Sequence, residues 1–139
     1  FGLAGVRLGF ALAEASTASL LRGRLGPWAV SGPALAYGQA ALADTDWQEA
    51  MRQRLEGEAQ RLQDLLEATG GVASGGASLY RHLRIDAADA LFRALGRAGV
   101  YVRAFADRPD ELRFGLPADE AAWSRLGAAL RAWAADQRS

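Results

Sequence analysis

Apolar positions recur at helical spacing through the middle of the chain. Trp47, Met51, Leu55, Ala59, Leu62 and Leu66 form one stripe, while Glu49, Arg52, Gln53, Glu56, Gln60, Arg61 and Gln63 occupy the other faces. That period predicts a long amphipathic helix from about Asp46 to Thr69, opened by Asp46 and Glu49 at capping-box spacing and stopped by Gly70 and Gly71. The Trp and Met of the stripe are expected in the core. Upstream, Val6 to Ala13 reads as a strand, Glu14 to Leu21 as a short helical or turn segment, and Gly26 to Pro33 as an ordered loop whose prolines exclude helix before them. Pro33 suits the first turn of an Ala-rich helix over Ala34 to Leu42.

Downstream the period changes to two. Leu79, Leu83 and Ile85 alternate with Tyr80, His82 and Arg84, and further strands are expected over Val100 to Phe105 and Glu111 to Leu116. A helix carrying Leu91, Phe92 and Leu95 lies between Asp86 and Gly96, and a last one, with Ala122, Trp123, Leu126, Leu130 and Trp133 on one face, runs from Ala118 to Gln137. Val72 to Gly76 reads as a pair of glycine turns without the spacing or the Lys of a phosphate loop. The sequence of elements predicts an α+β fold with an antiparallel sheet and helices packed to one side.

The last two strands constrain chemistry through their parity. Paired antiparallel, Val100, Val102 and Ala104 share the core face with Leu112, Phe114 and Leu116, which sends Arg103 and Arg113 to one common outer face. Like charges facing across a hairpin are unfavourable unless an anion lies between them. The alternatives are an anion-binding pair or two arginines neutralised by Asp107, Asp110 or Glu111. Arg7, in an otherwise apolar run, is either a clamp for a phosphate or carboxylate or an edge residue reaching solvent. Trp28 is expected to pack.

Composition narrows the chemistry. Half the residues are apolar, and 16 basic residues balance 16 acidic ones. A neutral chain gives no general electrostatic case for nucleic acid or an anionic membrane. There is no Cys and a single His, His82, which removes disulfides, thiolate catalysis and Cys- or His-based metal sites. All the basic residues are Arg and none is Lys, so no side chain here can form a Schiff base. No signal peptide or membrane-length apolar run is visible, and a cytoplasmic location is expected.

Three stretches carry a family resemblance. Gly2-Leu3-Ala4-Gly5-Val6-Arg7-Leu8-Gly9-Phe10 resembles the segment after the cofactor lysine in fold-type-I pyridoxal-phosphate enzymes. Pro27-Trp28-Ala29-Val30-Ser31-Gly32-Pro33 and Leu112-Arg113-Phe114-Gly115-Leu116-Pro117 are similar to segments of the threonine-phosphate decarboxylases of cobalamin biosynthesis and of their relatives, the histidinol-phosphate aminotransferases. The resemblance implies that Arg7 binds the cofactor phosphate and Arg113 the substrate α-carboxylate, with Arg103 also facing substrate. It implies a remnant strand and loop of the large cofactor-binding domain over residues 1–33 and a small C-terminal α+β domain over 34–139. The catalytic lysine is expected upstream of Phe1, which makes this chain an incomplete, inactive portion of a homodimeric enzyme. The implied reaction is decarboxylation of L-threonine O-3-phosphate to aminopropanol phosphate, with pyridoxal 5'-phosphate as cofactor. The alternatives are an aminotransferase of the histidinol-phosphate type and a non-catalytic binding or dimerisation domain.

Overall fold

A computed structural model describes residues 1–137. Its contacts divide the chain into two compact units, Phe1–Glu49 and Ala50 onward, and the division falls within one helix.

The first unit contains a 3-10 turn at Ala4–Val6, helix α1 (Ala15–Leu25), helix α2 (Gly32–Ala43) and the start of helix α3 (Thr45–Glu67). α2 starts as its residues dictate: the Ser31 side chain accepts from the backbone N–H of Ala34, and Pro33 sits in the first turn, where its missing N–H costs nothing. The expected strand from Val6 to Ala13 does not form, and residues 7–14 have no regular secondary structure. An apolar run becomes a strand only where a neighbour takes its backbone hydrogen bonds, and none does here. Trp28, expected to pack, is 91 % exposed. α3 is capped by Asp44, whose Oδ1 accepts from the Trp47 N–H at 3.0 Å, so the cap lies two residues before the expected Asp46.

The second unit is a two-layer α+β domain. A four-stranded antiparallel sheet in the order β1-β2-β4-β3 is built from β1 (Val72–Ser74), β2 (Tyr80–Arg84), β3 (Arg103–Ala104) and β4 (Glu111–Gly115). Helices α3, α4 (Ala88–Arg97) and α5 (Glu120–Asp136) supply the layer against it. The core joins Leu62 and Leu66 of α3, Leu83 of β2, Leu91 and Leu95 of α4, Leu112 and Phe114 of β4, and Trp123, Leu126 and Leu130 of α5. Each helix contributes the stripe that its 3.6-residue period dictates, and each strand contributes alternate residues.

Three expectations about the strands change. Val72–Ser74, read as a turn, adds an edge strand to β2. β3 has only two paired residues instead of six, so Ala104 is exposed and Val100 only half-buried. Carried on, the β3–β4 register would set Tyr101 against Gly115, where β4 ends, and Pro117 beyond it has no N–H to offer a ladder. Leu79, expected on the inner face of β2, precedes the strand and is 58 % exposed. One glycine is essential to the β1–β2 turn. Gly76 has φ +100°, and a Cβ there would run into the carbonyl oxygen of Tyr80.

Candidate functional site

Period-two alternation gives the sheet two chemically different faces. Leu83, Leu112 and Phe114 point to the helices. Their neighbours Ser74, His82, Arg113 and Arg103 line up across all four strands on the other face, since Ser74 pairs with His82, His82 with Arg113, and Arg113 with Arg103. The structure therefore brings Arg103 and Arg113 directly opposite each other.

The acids that could have neutralised this pair are engaged elsewhere. Asp107 lies 3.7 Å from Arg108 Nε, Asp110 lies 3.4 Å from Arg84 Nε, and Glu111 is held by Arg84, Arg108 and His82. Among the described residues no carboxylate pairs with Arg103 or Arg113. Aromatic rings hold them instead, with the Arg113 guanidinium 5.1 Å from the Tyr80 ring centroid and that of Arg103 5.5 Å from Phe105. A ring steadies a guanidinium through its quadrupole while leaving the N–H fork free to donate. Both arginines line an open cleft of ≈ 350 Å³ with Leu79, Tyr80, Tyr101, Val102 and Gly115. The arrangement suits a small anion with some apolar body.

Around this pair lie groups that parity alone did not single out. Glu111, two residues before Arg113 and on the same face, is the one buried charged side chain among the described residues, at 8 % exposure. Its Oε2 accepts from Arg108 Nη1 at 2.7 Å and lies 3.7 Å from His82 Nδ1, and its Oε1 accepts from Arg84 Nη2 at 3.3 Å. The His82 ring stacks on Phe105 at 5.8 Å and meets Tyr80 edge-on at 5.6 Å. Arg108 covers Phe105 at 4.2 Å. The odd numbering shared by Glu111, Arg113 and Arg103 was the available sequence signal. The even-numbered His82 joins them through the β2–β4 register, which the sequence left open.

Arg7 belongs to the first unit. It is exposed and pairs with no carboxylate among the described residues. At φ 56°, ψ 38° it is the one non-glycine residue among them with positive φ, and its N–H donates to the Ala4 carbonyl at 3.3 Å. A left-handed Arg is disfavoured by about 1 kcal/mol or more, the kind of local strain that clusters at ligand sites. An apolar cleft of ≈ 250 Å³ in the same unit is lined by Phe1, Leu3, Leu8, Phe10, Tyr37 and Gly38 among others, and Arg7 is not part of its wall. Among the described residues there is no group of His, Asp and Glu able to hold a metal, and no helix is long and apolar enough to cross a membrane.

The outer face of the sheet thus carries two opposed arginines that pair with no carboxylate among the described residues and line one open cleft. The chain belongs to the aminotransferase class I and II family, whose model matches residues 1–123. Among curated proteins it is 48 % identical over 130 residues to the threonine-phosphate decarboxylase of Pseudomonas aeruginosa, covering 94 % of this chain and 39 % of that protein. It is 38 % identical over 130 residues to the threonine-phosphate decarboxylase of a Sinorhizobium species, covering 94 % of this chain and 38 % of that one. Among solved structures it resembles the histidinol-phosphate aminotransferase of Sinorhizobium meliloti in complex with pyridoxal 5'-phosphate, at 23 % identity and a TM-score of 0.74 over 98 % of this chain and 39 % of that one. That likeness concerns the fold. The chain thus spans about two-fifths of the length of the proteins it matches.

Proposed function

We propose that this chain is the substrate-facing part of a pyridoxal-phosphate enzyme that decarboxylates L-threonine O-3-phosphate to aminopropanol phosphate, as in cobalamin synthesis. The observation that carries the reading is the opposed, unneutralised pair Arg103 and Arg113. The 48 % identity to a threonine-phosphate decarboxylase supports it.

The residues present fit the cofactor in part. Arg7, exposed, unpaired with any carboxylate among the described residues and in a left-handed turn, can take its phosphate. The amine that must hold its aldehyde is not in this chain, because the sequence contains no Lys, and has to come from sequence outside these residues. When bound, the cofactor supplies an electron sink for the charge left on the substrate Cα. What these residues supply is recognition: Arg113 takes the α-carboxylate through two charge-assisted N–H donors, Arg103 faces the same carboxylate from the neighbouring strand, and Tyr80 and Phe105 steady both. On this reading residues 1–33 go with a large cofactor-binding domain and 34–139 form the small domain, and the complete enzyme is a homodimer in the cytoplasm.

The test is carbon dioxide release from threonine phosphate, in the longer protein carrying this chain, with no keto acid added. Release under those conditions supports the decarboxylase. Turnover that requires 2-oxoglutarate and leaves the carboxylate in place would assign it to the aminotransferases. No turnover of either kind, with anion binding retained, would make it a binding domain.

A further inference from the structure

A buried acid is out of place at the base of a face that is to bind anions. Glu111 nonetheless lies on the same face of β4 as Arg113, two residues away, which is about 7 Å along an extended strand. A carboxylate with unsatisfied lone pairs at that range would compete with any ligand for the Arg113 guanidinium. Here it has been given other partners. Arg108 and Arg84 donate to its two oxygens, and the His82 Nδ1 approaches Oε2. These three contacts draw on groups from both sides: Arg84 and His82 come from β2, and Arg108 from the turn before β4. Arg108 then lies over Phe105, the ring that also carries Arg103.

We propose that Glu111 is a positioning residue for the arginine pair: its carboxylate gathers Arg84, Arg108 and His82, and their saturation of it leaves Arg113 and Arg103 as the cations of this face that are open to a ligand carboxylate. Arg108 is the counter-cation on which this depends, since it makes the shortest contact with Glu111. The proposal rests on the reading of Arg113 as the carboxylate site and adds what keeps that site free.

It is tested in the longer protein carrying this chain, by calorimetric titration with two probes that have no amine and are not turned over. 3-(Phosphonooxy)butyrate carries a phosphate and a carboxylate, and isopropyl phosphate carries the phosphate alone. The unaltered protein should prefer the first. Arg108→Gln removes an exposed turn residue, leaves the Glu111 charge in place and frees its oxygen to reach for Arg113, so the preference should fall roughly five- to tenfold while isopropyl phosphate binding changes little. Adding Glu111→Gln removes the competing charge, and the double variant should recover most of the preference. A preference unchanged in Arg108→Gln, or a double variant that falls as far as the single one, overturns the role given to Glu111 while leaving Arg113 in place. Absence of any preference in the unaltered protein overturns the carboxylate site itself and this inference with it. Should the double variant fail to fold, the Arg108→Gln result decides alone, because Arg108 is 44 % exposed and outside the core.

Discussion

No carboxylate among the described residues pairs with Arg113. Its in-register neighbour Arg103 repels it, its own strand offers only Glu111, and Glu111 is already engaged by Arg108 at 2.7 Å. Arg113→Ala in the longer protein should therefore lose charge-assisted hydrogen bonds worth roughly 1.5 to 3 kcal/mol, a ten- to hundredfold drop in kcat/KM with threonine phosphate. Removing the carboxylate from the substrate should then matter far less to the variant than to the original enzyme, and equal sensitivity in both would remove Arg113 from the site. The parity of Arg103 and Arg113 followed from alternation alone, and the structure has them paired. Whether Asp107, Asp110 or Glu111 would neutralise them did not follow, because that depends on how the turn before β4 folds back over Phe105. The positive φ of Arg7 had no sequence signal, since Arg carries no preference for that region.

The elements of the second unit were visible where a strong period met a core. α4 and α5 have their stripes where spacing put them, as do β4 and the Ala59, Leu62 and Leu66 end of α3, whereas Trp47, expected in the core, is 38 % exposed and Met51 lies outside the core cluster. The errors fell where pattern and partner part company: an apolar run at Val6 to Ala13 found no strand to pair with, a glycine-flanked Val72–Ser74 did, and β3 shrank to Arg103–Ala104. β4 is consequently the element on which the sheet depends, because it pairs with both β2 and β3 and buries Leu112 and Phe114 at 1 % exposure each. Leu112→Ala or Phe114→Ala should cost about 2 to 5 kcal/mol in denaturant unfolding. A loss below about 1 kcal/mol at both would mean these side chains are not core, and the common face of the arginines would fall with them. Between helices, Arg61 of α3 meets Glu120 at the start of α5 through bonds of 2.5 and 2.9 Å. The hydrogen bond from Arg61 holds the Glu120 carboxyl below its ordinary value of 4.5. A depressed folded-state value means that the stabilisation is present above the unfolded value and is lost as the pH falls through the folded one. Glu120→Gln should thus lower Tm modestly at neutral pH, by an amount that shrinks and vanishes as the medium is acidified below 4.5. A Tm difference independent of pH across that acid limb would show that the pair adds nothing through charge.

At the scale of the whole molecule the composition says something the folded domain does not. A family defined by a Schiff-base cofactor is represented here by a chain with 16 basic side chains, all of them Arg. A guanidinium keeps its proton under any condition a protein survives and cannot condense with an aldehyde, whereas it binds phosphate and carboxylate better than an amine would. On the proposed function these residues supply recognition, and the covalent step needs a lysine that they do not contain. Mixed with pyridoxal phosphate, the chain should bind the phosphate weakly through Arg7, in a manner that competing inorganic phosphate reverses. Borohydride reduction followed by peptide mass analysis should then find the cofactor attached to no side chain of these residues, since none carries a primary amine. A reduced pyridoxyl group on any internal residue would overturn the assignment of the covalent step to sequence beyond these residues. Weak binding that survives Arg7→Ala unchanged would, separately, move the phosphate site elsewhere on the chain.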